Sequence, residues 1–79
     1  MDSVKPLLNT LKEIGSIAEH DLDSNELKTL VYNLDYLNRY CNQVWQAKLA
    51  REQGLLNKAQ QHQASAEKNY NLLSNEAKW

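Results

Sequence analysis

Glu19, His20, Asp21, Asp23 and Glu26 place five titratable side chains within eight residues, and acid–base chemistry would first be sought there. Such chemistry needs a carboxylate or histidine held against a reacting group in a pocket that excludes water. His20 is the only partner these carboxylates have nearby, and their place between two helical patterns gives them helix capping as their obvious work. No enzyme is expected. His20 and His62 stand 42 positions apart, with no H-x-x-x-H or C-x-x-C companion, so metal-ligand spacing is missing. Gly15 and Gly54 are isolated, which excludes a phosphate-cradling glycine loop, and no cofactor is expected. Cys41 is the single cysteine, so no intramolecular disulfide can form. With only Arg39 as a cationic neighbour in sequence, it reads as a small buried hydrophobe rather than a reactive thiolate.

The elements that would position any site are helical. Two glycines, one proline and no phenylalanine, in a chain rich in Leu, Ala, Gln, Asn, Glu and Lys, leave too few β-branched residues to write strands. Asp2 or Ser3 can cap a first helix whose first turn tolerates Pro6. Val4, Leu7, Leu8, Leu11, Ile14 and Ala18 then fall on one stripe, predicting an amphipathic helix over about 3–20. Asp23 followed by Glu26 forms a capping-box pair, with Ser24 as a second candidate cap, so a new helix starts near residue 24. From there Leu27, Leu30, Val31, Leu34, Leu37, Cys41, Val44, Trp45 and the stem of Lys48 trace a seam of threes and fours.

The stretch VYNLDYLNRY sets Tyr32, Tyr36 and Tyr40 on the opposite side of that helix from the leucines. A helix with apolar side chains on both sides sits between two neighbours. The leucine seam, through Leu27, Leu30, Leu34, Leu37 and Val44, is expected to hold helix one. The tyrosine side must then meet the C-terminal segment, a second copy or another protein. Tyr32, Tyr36, Tyr40 and Trp45 are the expected partner-binding residues, because such rings give large contact area with a polar end.

Gly54 decides how far the second helix runs. Uninterrupted to the C-terminus, that helix would be roughly 80 Å long at 1.5 Å per residue. A reversal at 53–55 would give a hairpin or three-helix bundle; a continuous helix would pair with a second copy as a coiled coil. The reversal is marginally preferred, with helix two over about 24–53 and helix three over about 55–77. In the last segment Leu55, Ala59, His62, Ala66, Tyr70, Leu73 and Ala77 trace a seam with a small or polar middle. Alanine there permits close approach but contributes little burial. Trp79 reads as a frayed end.

Net charge is -1 but unevenly divided: residues 1–26 carry -4 and residues 27–79 carry +3. The acidic first part is expected to lie against the more basic remainder. Lys48, Arg51 and Lys58 are candidate basic contacts for nucleic acid, but the stripe is sparse and interrupted by Glu52, without a helix-turn-helix or stacking platform. No apolar run reaches bilayer length and no signal-like start is present, so no membrane association is expected and a reducing cytoplasm is the expected location. At 79 residues the chain is one domain, 1–79, with a marginal private core. In size and pattern it is similar to the many small helical-hairpin proteins of bacteria and their phages that dock on a larger machine as export chaperones, regulators or inhibitors. That likeness is architectural and carries no residue-level motif. The expectation is an all-α, non-catalytic protein-binding module of this kind, forming a homodimer and docking through a helix face. The alternatives are a nucleic-acid-associated regulator and a purely structural coiled coil.

Overall fold

The computed structural model describes residues 3–79. The expected cap Asp2 lies outside them. Three α-helices follow one another, α1 (Lys5–His20), α2 (Ser24–Glu52) and α3 (Leu56–Leu72), with a single 3₁₀ turn at Asn75–Ala77. The protein is all-α and its helices pack against each other as a hairpin.

α1 starts with Pro6 in its first turn, where a missing N–H removes no intrahelical bond. Its N-cap is Val4, without a side-chain cap, so the expected Ser3 cap is replaced by the backbone bond from Leu8 N–H to the Val4 carbonyl (2.9 Å). α2 starts as expected. The Glu26 N–H donates to Asp23 Oδ1 (2.8 Å) and the Asp23 N–H donates to Glu26 Oε1 (3.0 Å), closing the capping box.

The chain reverses at Gly54. Its φ of +75° is left-handed, and two backbone bonds close the helix end: Leu55 N–H to the Ala50 carbonyl (2.8 Å) and Gly54 N–H to the Arg51 carbonyl (3.0 Å). This pairing is a Schellman ending, which satisfies carbonyls that the last turn leaves unpaired. It explains why α3 follows at once without a capping side chain: the stop is made by the preceding helix. Gly54→Ala is expected to lower hairpin stability by about 1–2 kcal/mol, because a Cβ is disfavoured at positive φ. Thermal denaturation followed by far-UV circular dichroism checks this, and an unchanged melting temperature would contradict it.

α2 and α3 form the one extensive helix pair. The fully or nearly buried side chains among the described residues belong to this pair and to the residue just after α3: Ala47, Ala50, Ala59, Ala66 and Leu73. At 100° per residue, Tyr36, Tyr40, Ala47 and Ala50 share one side of α2, so the side that α3 covers is the tyrosine side. The leucine seam faces away from it. Asn33 fastens the far end: its side-chain amide donates to the Thr29 carbonyl (2.8 Å) and to Ser74 Oγ (2.9 Å), and its Oδ1 accepts from the Ser74 N–H (2.8 Å). His62 on α3 donates from Nδ1 to Gln43 Oε1 on α2 (2.7 Å). Asn33→Ala is expected to destabilise the pair by about 1–3 kcal/mol, leaving the part-buried Ser74 N–H without its partner. Hydrogen exchange at Ser74, faster in the variant, checks this.

α1 corrects an expectation. It packs on neither α2 nor α3 to any comparable extent and contains no buried residue. Leu27, Leu30, Leu34, Leu37 and Val44 therefore do not hold it, and the acidic first part does not lie along the basic remainder. The radius of gyration is 15.1 Å, against about 11.6 Å for a compact chain of this length.

Candidate functional site: two open apolar helix faces

α1 presents the first face. Val4, Leu7, Leu8, Leu11 and Ile17 are between 47 and 64% exposed. Its regular spacing makes a stripe where only Ile14 and Ala18 are half-buried. A 16-residue helix with no packed face is marginal in water, because most helical stability in proteins comes from burying the amphipathic side.

α2 presents the second face. Positions 27, 30, 34, 37, 41, 44 and 48 form an unbroken heptad seam of Leu, Leu, Leu, Leu, Cys, Val and Lys. Leu37, Cys41 and Lys48 are exposed along it, as are its neighbours Val31 and Trp45, at 55% and 60%. Cys41 is thus a free thiol at the surface, against the expectation of a buried hydrophobe. One edge of the seam deepens into an apolar groove of about 290 Å³, walled by Leu30, Leu34, Leu37, Leu73, Ala77 and Trp79.

The four aromatic residues expected to bind a partner have different surroundings. Tyr32 and Trp45 keep over half their surface open, and Lys28 Nζ lies 5.9 Å above the Tyr32 ring. Tyr36 is half-buried on the side toward α3. Tyr40 packs on the C-terminal segment, its ring centroid 6.2 Å from Tyr70 and 5.1 Å from Trp79, while Tyr70 and Trp79 stand 4.8 Å apart, edge to face. The Tyr70 hydroxyl donates to the Trp79 carbonyl. Trp79, expected as a frayed end, thus packs on two rings although 67% of its surface stays exposed. The signal was a seam already containing Tyr70, whose continuation by nine residues returns the chain to α2.

Lys48, Arg51 and Lys58 are exposed on either side of the reversal, with Glu52 between them. Arg39 pairs with Asp35 (3.0 Å) one turn away on α2. Among the described residues no cluster of three or more His, Cys, Asp or Glu could hold a metal ion. His20 turns its Nδ1 to the Ser16 carbonyl (2.9 Å), and Asp23 and Glu26 cap α2, so the acidic stretch is engaged in helix ends. No helix among the described residues is long and apolar enough to cross a membrane.

The fold and these faces define an all-α hairpin with a detached amphipathic arm. Compared with family models, curated proteins and solved structures, the chain finds no match.

Proposed function

We propose that the chain is a small, non-catalytic protein-binding module of regulator, inhibitor or chaperone-like adaptor type, which docks on a larger protein through the apolar face of α1. One observation carries this reading: α1 keeps its whole leucine stripe in solvent although helix-length amphipathic segments gain their stability by packing. Open apolar stripes of this kind mark interaction surfaces. A helix face with anchors at Leu7, Leu8 and Leu11 suits a hydrophobic groove on a partner. Tyr32 and Trp45 supply further open aromatic contacts. Tyr36 and Tyr40 contribute chiefly by holding the hairpin together. A reducing cytoplasm suits a chain that exposes its one thiol.

The test is photo-cross-linking in cells. A photoreactive residue replacing Leu8 is expected to capture a defined protein, and the adduct is expected to disappear when Leu7 and Leu11 are changed to serine. The same residue at Gln60, exposed on α3, serves as control. Equal labelling from both positions would remove the proposal.

A further inference from the structure

Helix-face docking, the reading on which this inference rests, leaves the α2 seam without an assigned occupant. We infer that a second copy of this chain covers it, with the two α2 helices antiparallel along Leu27, Leu30, Leu34, Leu37, Cys41 and Val44. An unbroken heptad seam is the pattern that knobs-into-holes pairing of helices requires. The geometry of the hairpin supports the same conclusion, since α3 occupies the opposite side of α2 and the segment after it reaches only one edge of the seam, at Leu30, Leu34 and Leu37, leaving Cys41, Trp45 and Lys48 exposed.

Charge fixes both the occupant and its direction. The seam has an acidic end, where Asp23 and Glu26 outnumber Lys28, and a basic end, where Lys48 and Arg51 beyond Val44 outnumber Glu52. Antiparallel copies place each acidic end beside the other's basic end; parallel copies would stack Lys48 on Lys48. The chain's own α1 is the competing cover. Folding it back through Asp21–Asp23 would gather Glu19, Asp21, Asp23 and Glu26 into one corner, with like charges opposed. At 16 residues it would also span about 24 Å. The seam from Leu27 to Lys48 needs about 32 Å, so the end carrying Val44, Trp45 and Lys48 would stay open. A second α2 matches the seam in length and reverses the charge at each end.

Light scattering of the full chain over a dilution series tests this, together with maleimide labelling of the native Cys41. The expected result is a reversible dimer in which Cys41 labels more slowly as concentration rises. Leu34→Glu is expected to weaken association by about a hundredfold or more, because it forces a charge into an apolar seam. Lys48→Glu with Arg51→Glu is expected to weaken it by about tenfold. Circular dichroism keeps these readings separate from unfolding, and the labelling needs no variant at all. Direction is read by oxidation: one of Leu30→Cys, Leu34→Cys or Leu37→Cys is expected to form a covalent dimer with Cys41 of the second copy.

A monomer at every concentration would overturn the inference, as would a dimer indifferent to Leu34→Glu. Rapid covalent dimerisation through Cys41 alone would do so too, since antiparallel helices that pair Leu27 with Lys48 hold the two thiols about 10 Å apart along the axis. None of these outcomes touches the α1 cross-link, which stands or falls by its own control.

Discussion

An Ala66→Leu variant is expected to melt far below the wild type and to lose cooperative unfolding of the α2–α3 pair. Ala66 and Ala47 are both 0% exposed in a seam whose other buried members include Ala50 and Ala59. A seam of methyl groups lets two helices approach closely, and it then has no room for an isobutyl group. Added volume in a packed seam costs about 1–3 kcal/mol. The effect weighs heavily here because the chain buries few side chains and small domains are marginal to begin with. Far-UV circular dichroism against temperature measures it. Ala64→Leu is the control: Ala64 lies on the same helix but is exposed, and leucine there is expected to leave the melting temperature nearly unchanged. Equal effects at both positions would mean that helix propensity, rather than seam packing, sets the response.

The difference between Ala64 and Ala66 also shows how far a sequence can be read in a chain like this. The two ends of α2 were the more legible because they have local chemistry: Asp23 with Glu26 opens it, and Gly54, where a reversal was only marginally preferred, closes it, whereas α1 and α3 start without a capping side chain. The α3 seam was legible from spacing alone, since Ala59, Ala66 and Leu73 are the residues the hairpin buries. What could not be read was that only one apolar side of α2 is covered by another helix: the tyrosine side meets α3, one of the three neighbours allowed for it, while the leucine side does not hold α1. Hydrophobic pattern favours the leucines as the buried side, yet α3 lies on the tyrosines. The reason is that α3 offers alanines. A helix that approaches closely through methyl groups leaves space at its end for large rings, so Tyr40 fits against Tyr70 and Trp79 while a row of leucines would hold the helices apart. The charge division misled for a related reason. The segmental totals of -4 and +3 conceal an acidic corner at Glu19 to Glu26 that resists closure of α1 onto α2.

Tyr40→Ala is expected to destabilise the hairpin by about 2 kcal/mol, the lost ring packing adding to the loss of half-buried area. Removing the Tyr40 ring deletes two of the three contacts in the aromatic cluster, leaving Tyr70 and Trp79 paired with each other and Trp79 beside α2 only at the groove of Leu30, Leu34 and Leu37. The Asn33–Ser74 clamp remains, so the C-terminal segment is expected to loosen rather than unfold. Fluorescence anisotropy reads this in a Trp45→Phe background, where Trp79, already 67% exposed, is the remaining tryptophan and its emission is expected to depolarise as the ring gains freedom. Tyr32→Ala is the contrast. That ring is 52% exposed, with the Lys28 ammonium as its charged neighbour, and its removal is expected to cost less than about 0.5 kcal/mol. Hairpin stability and α1 docking should also separate. Tyr40→Ala would lower the melting temperature while sparing the Leu8 cross-link at temperatures where the chain is folded, because α1 does not depend on the aromatic cluster for its own structure. A Tyr40→Ala chain that melts like the wild type, with Trp79 anisotropy unchanged, would return Tyr40 to the open surface and make it a contact for the partner.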